Sequence, residues 1–128
     1  MLQLRIVFLL AALIGLQACS NQSQPLIDEG ARPLAVDEVE ERLIGNTEFW
    51  SQGFIYYHPD GKLDIIWHKI KSKGSYTITE DGYVCLDVPN WKEENCHYYL
   101  ESEGRILTVD RKRVRGFTRV EEGNQMPR

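Results

Sequence analysis

The sequence predicts an all-β fold: a small antiparallel up-and-down meander or barrel of seven to eight short strands, preceded by one short helix. Three observations predict it. From Thr47 onward, apolar and polar residues alternate with a period of two, the pattern of strands with one buried face. Turn formers recur at short spacing, at Asp60-Gly61, Lys71-Ser72, Asp81-Gly82, Glu103-Gly104 and Arg111-Lys112, and Asp-Gly between apolar runs is a strong hairpin signal. Aromatic residues are plentiful, with three Trp, six Tyr and four Phe, as a thin sheet core requires.

The chain begins with one positive charge, Arg5, and an unbroken apolar run from Ile6 to Ile14, closed by Leu16-Gln17-Ala18-Cys19. The run is too short to span a bilayer as a stable helix. The segment resembles a bacterial lipoprotein signal peptide, with Cys19 as the acylated first residue of the mature chain. Ser20 stands where lipoproteins held at the inner membrane carry aspartate. By that analogy the expected location is the periplasmic face of the outer membrane. Removing residues 1–18 leaves 110 residues, enough for one domain. Only Arg5 is lost from the charges, so 14 basic and 19 acidic residues remain. That acidic balance argues against nucleic acid as a partner.

Residues 19–35 contain turn formers and little periodicity, and read as a lipidated, flexible tether. The single domain is expected over residues 36–122, with 123–128 as a tail. Val36, Val39 and Leu43 form one helical stripe, Asp37 and Glu40 suggest a capping box, and Gly45-Asn46 supplies the stop. With Cys19 taken by lipid, Cys85 and Cys96 are an even pair in an oxidising compartment and read as a disulfide. Metal binding is the competing idea, but the pair has no C-x-x-C or H-x-x-x-H companion.

Strand-like runs occupy 53–58, 62–70, 74–79, 83–88, 96–101, 105–110 and 113–120, with 47–51 as an added strand. Treating every turn as a two-residue loop fixes the pairing and the face of each side chain. One face then carries Phe54, Tyr56, Leu63, Ile65, Trp67, Tyr76, Ile78, Tyr83, Cys85, Cys96, Tyr98, Leu100, Leu107, Val109, Val114 and Val120. The other carries Asp64, His68, Thr77, Thr79, His97, Thr108, Arg113, Arg115 and Arg119, with Ile66, Leu86 and Phe117 as exceptions.

On this register His58, His68 and His97 are three independent surface or rim histidines rather than one metal site. No Gly-x-Ser-x-Gly elbow or phosphate loop is present, so no catalytic residue, cofactor or metal is expected. Arg113, Arg115 and Arg119 share one strand face and offer a contact for an anionic envelope polymer; the plainer reading is charge that blunts a sheet edge. Trp91 lies on the loop stapled by the disulfide, either as a protein-contact anchor or folded back over the barrel. The aromatic interior suits a filled core better than a ligand cavity, although a small polar-lined cleft is compatible with it.

The stretch from Leu43 to about Gly116 resembles a widespread group of small, exported, mostly uncharacterised proteobacterial proteins. The matching residues are Leu43-Ile44-Gly45-Asn46-Thr47, Tyr56 with Asp60-Gly61, Gly74-Ser75-Tyr76 (often Gly-x-Trp in the group), and Cys85 with Cys96. The resemblance implies an antiparallel β-domain with one disulfide and supplies no catalytic residues. The expected function is a non-enzymatic, lipid-anchored envelope domain that binds a protein or an anionic envelope polymer. The alternatives are a small β-barrel inhibitor of a cell-wall or bacteriolytic hydrolase, whose tyrosine-containing loop motifs are not recognisable here, and a hydrophobic-ligand carrier.

Overall fold

Short alternating runs joined by tight turns can bury one face only by curling, and the chain does so. A computed structural model describes residues 21–110 and 113–128; Cys19, the segment before it and the Arg111-Lys112 turn lie outside the described residues. In chain order the elements are α1 (Ser23–Asp28), β1 (Arg32–Pro33), α2 (Val36–Leu43), β2 (Asn46–Trp50), β3 (Gly53–Tyr57), β4 (Lys62–Trp67), β5 (Ile70–Ile78), β6 (Val84–Asp87), β7 (Asn95–Ser102), β8 (Arg105–Asp110), β9 (Arg113–Phe117) and β10 (Arg119–Glu122). Strands β2 to β9 form an antiparallel meander, and β10 returns to pair with β2. Because β9 pairs β8 while β10 pairs β2, the C-terminal stretch joins the two edges. The all-β meander or barrel is therefore a nearly closed barrel, and β1 adds a short pairing on β7.

The helix after the tether forms as its stripe predicts, with Val39 and Leu43 fully buried. Its cap differs. Ala35, not Asp37, is the N-cap residue, and the Glu38 carboxylate accepts the Ala35 N–H at 3.2 Å, which is half of a capping box. Arg32 grips the same carboxylate at 2.6 Å and holds its pKa down to about 2, with the Ala35 N–H as a second cause.

Register explains where the expected inner face was wrong. At Asp60-Gly61 the loop has three residues: His58 N–H donates to the Lys62 carbonyl, Gly61 N–H to the His58 carbonyl, and Gly61 sits at φ +89°. This is a type I turn followed by a left-handed glycine. A two-residue turn would have placed Pro59, which has no N–H, in the ladder. The added residue reverses β3, so Ile55 and Tyr57 are buried in place of Phe54 and Tyr56. At Asp81-Gly82 the same geometry recurs, with Thr79 N–H on the Tyr83 carbonyl and Gly82 at φ +81°. That single residue turns over everything after it: Val84, Leu86 and Val88 face inward, and Tyr83 and Cys85 do not.

The turn expected at Lys71-Ser72 is instead at His68-Lys69, whose φ values of 48° and 68° are both left-handed without a glycine. Moving the turn by three residues shifts each cross-strand partner by six, an even number, so Tyr76 and Ile78 keep the predicted side and pack on the core with Trp67. The registers at Glu103-Gly104 and across Arg111-Lys112 are as predicted, pairing Leu100 with Leu107 and Val109 with Val114. Cys85 faces Cys96 and the disulfide is formed.

One core fills the barrel, built on Ile55, Tyr57, Leu63, Ile65, Val84, Leu86 and Tyr99 and capped by Leu34, Val39 and Leu43. A second lies on the outer side of β7 and β8, where Leu100, Leu107 and Val109 are covered by Leu26 and Ile27 of α1. The residues expected as a flexible tether thus include a helix that seals the sheet. Asn21 Oδ1 caps it by accepting the Ser23 N–H at 3.1 Å, and the Tyr98 hydroxyl donates to Ser23 Oγ at 2.8 Å.

Candidate functional site

In a meander, alternate connections gather at the same end. Here the β3–β4 and β5–β6 turns share one end with α2: Gly45 N–H donates to the Tyr57 carbonyl, and Gly82 approaches the Leu34 carbonyl. The β2–β3, β4–β5 and β6–β7 connections meet at the other, where β8 also ends, at Asp110. There a cleft of about 360 Å³ opens, lined by residues of these three connections, by Asp110 and Arg115, and by residues 116–118. Trp50, Trp67 and Trp91, all the tryptophans of the chain, line it. Trp67 lies edge-on to both Trp50 and Trp91, with ring centroids 6.0 Å apart in each pair.

A hydrogen-bonded chain underlies these rings. Glu48 of β2 is fully buried and accepts from the Tyr57 hydroxyl at 2.9 Å and the Tyr99 hydroxyl at 2.7 Å. Because Tyr99 spends its proton on Glu48, its lone pair takes the Nε2–H of His97 at 3.0 Å. His97 is therefore the Nε2–H tautomer, and Nδ1 carries a lone pair. Burial lowers its pKa below the usual 6.5, against opposing attraction from Glu48 and Asp110. Burial, with Glu48 alongside, raises the pKa of both tyrosines well above 10.

Asp110 is paired with His97 across β7 and β8. One of its carboxylate oxygens holds Arg115 at 3.2 Å. A bulge between Thr108 and Val109 makes Arg115 the extra residue of β9 and aims it at the cleft. Three buried polar atoms of cleft residues have no partner among the described residues: Trp50 Nε1, His97 Nδ1 and Asp110 Oδ1. Buried polar groups are almost always satisfied, so three together in one opening mark a place where something else supplies the bonds.

The residues singled out from sequence separate accordingly. Trp91 folds back against Trp67 and the core. Arg115 lines the cleft. Arg113 and Arg119 do not: the bulge separates Arg113 from Arg115 within β9, and Arg119 lies on β10, over the Phe49 ring at 4.5 Å. His97 is 1% exposed, so it is an interior residue and not a surface or rim one. His58 bonds Asp64 at 2.8 Å beside its turn, and His68 forms the β4–β5 turn at the cleft edge. The Cys85–Cys96 disulfide braces the two strands that flank Trp91 and carry His97. Sequence reasoning missed Trp50 and Asp110 and put His97 on the wrong side of the sheet. The available signal was three tryptophans at or beside alternate turns, which a meander must bring to one end.

Fold and cleft together define a small, nearly closed antiparallel β-barrel with an aromatic opening at one end. The chain belongs to the family described as a protein of unknown function (DUF995), whose model matches residues 9–102. Asp110, Arg115 and Phe117 lie beyond that match. No curated protein and no solved structure matches the chain.

Proposed function

We propose that the protein is a lipid-anchored envelope domain that binds, without transforming, a small part of an envelope component in the cleft at the barrel mouth. The anchor is Cys19, at the lipobox of a bacterial lipoprotein signal, and the location is the periplasmic face of the outer membrane. The observation that carries the binding reading is the set of three unpartnered polar atoms beneath a tryptophan-lined opening. Binding rather than chemistry is favoured because the polar groups there are fixed: Tyr99 holds His97 and Arg115 holds Asp110. A hydrophobic carrier is disfavoured because side chains such as Tyr57, Tyr99, Leu63 and Ile65 fill the barrel interior.

The test uses the full chain in cells, with a photo-crosslinking residue in place of Phe117 at the cleft rim. The expected result is an envelope crosslink in the membrane fraction, lost when Asp110 is changed to Asn. Cys19→Ala should release the protein from membranes. Membrane retention of Cys19→Ala, or a crosslink indifferent to Asp110→Asn, contradicts the proposal.

A further inference from the structure

The cleft's chemistry narrows the class of ligand, given the binding role proposed for that site. Three buried polar atoms of residues that line the cleft have no partner among the described residues: one donor, the Trp50 indole N–H, and two acceptors, His97 Nδ1 and Asp110 Oδ1. The tryptophan rings beside them supply flat apolar surface.

An acyl chain would satisfy the rings and leave all three polar atoms buried and unpaired, which is unfavourable. A cation would be drawn to the rings and to Asp110, but Arg115 already neutralises that carboxylate at 3.2 Å. An anion would meet Arg115 together with Asp110 Oδ1 and the His97 lone pair, both repulsive. The remaining match is a neutral ligand with a flat C–H face, at least two hydroxyl or amide donors and at least one acceptor. A pyranose ring has these features. A volume of about 360 Å³ is at the small end of ligand sites, suited to one or two rings and not to a long oligomer. We infer that the cleft is a saccharide subsite, with the sugar's C–H face on the tryptophans and its hydroxyls on Trp50 Nε1, His97 Nδ1 and Asp110 Oδ1.

Since every tryptophan of the chain lines this cleft, intrinsic tryptophan emission reports on it alone. The full lipidated chain is titrated in a polyoxyethylene detergent, because glycosidic detergents would compete. The probes are chitobiose and cellobiose, with choline and dodecanoate as cationic and apolar controls. A saturable emission change with a neutral disaccharide is expected. Trp50→Phe keeps a ring but removes the N–H, and Asp110→Asn removes the charge; each should weaken binding about fivefold or more while circular dichroism stays unchanged. Should either variant fail to fold, the thermal shift of the unmodified chain by each probe gives the same discrimination.

Saturation by choline or dodecanoate but not by the disaccharides overturns the inference, as does sugar binding indifferent to Trp50→Phe. Co-sedimentation with insoluble peptidoglycan would assign the ring to a polymer, and binding of the soluble disaccharide alone would assign it to a free saccharide. An Asp110-dependent crosslink at position 117 without any response to sugars would sink the saccharide assignment and leave the binding domain standing.

Discussion

Removal of the Tyr99 hydroxyl tests the buried chain beneath the cleft. Tyr99 is fully buried, and its hydroxyl has two jobs, donating to Glu48 at 2.7 Å and accepting from His97 at 3.0 Å. Tyr99→Phe keeps the ring and its packing, so cavity effects are negligible, and it strands two polar atoms at once. Each buried group left without a partner costs about 1–3 kcal/mol, so the pair should cost about 3 kcal/mol, toward the lower end of the combined range. For a domain of this size, each kcal/mol lowers Tm by about 4–8 °C, so a fall of about 12–24 °C is expected. Glu48→Gln is the contrast: its amide oxygen still accepts one tyrosine, and the other hydroxyl turns to accept from the amide, so the loss should be about 1 kcal/mol. The assay is urea unfolding followed by far-ultraviolet circular dichroism, with thermal melts alongside. A Tyr99→Phe protein as stable as the parent, or less affected than Glu48→Gln, would refute the bonded chain.

Stability should also depend on pH at both extremes. Burial raises Tyr57 and Tyr99 above 10 in the folded state, so above pH 10 the unfolded chain releases protons that the folded one keeps, and stability falls as pH rises. On the acid side His97 is lowered from 6.5; the unfolded chain binds that proton first, so its contribution is lost as pH drops below 6.5, and His97→Gln should flatten that limb of a stability–pH curve. Reducing the disulfide, which closes a loop with a sequence separation of 11, should cost about 3 kcal/mol, read as a lower urea midpoint; an unchanged midpoint would deny it a stabilising role. Paired Leu26→Asp and Ile27→Asp should uncover Leu100, Leu107 and Val109 and raise binding of a hydrophobic dye, whereas a silent pair would mean that α1 does not seal the sheet.

How much of this the residues announced depends on what each turn demands. Glu103-Gly104 adopts the two-residue turn its glycine favours, with φ values of 52° and 76°, and its register was legible. The Asp-Gly pairs at 60–61 and 81–82 carried the right turn signal but the wrong loop length. At the first, Pro59 decides the matter; at the second, only the Thr79 hydroxyl bonded to Tyr83 N–H hints at it, and no periodicity records one extra residue. His68-Lys69 has no glycine, so its left-handed pair is a tertiary outcome. The order of strands and the disulfide pairing survived these errors, because pairing between sequential strands does not depend on which side faces in. The cleft did not survive them. His97 and Thr108 were on one side as expected, but the residue added at Gly82 makes that side the interior. The helix at Ser23–Asp28 was hidden for another reason: it has two apolar residues and a proline, too few to show a helical stripe without the sheet that Leu26 and Ile27 cover.

The most direct measurement is a nuclear magnetic resonance titration of the indole N–H signals with chitobiose, since the three tryptophans give three resolved reporters within one cleft. The Trp50 N–H, which has no partner among the described residues, should move furthest and downfield as it gains a hydrogen bond. Indole signals that stay fixed at saturating sugar, or a Trp50 signal less affected than those of Trp67 and Trp91, would contradict a saccharide subsite at the barrel mouth.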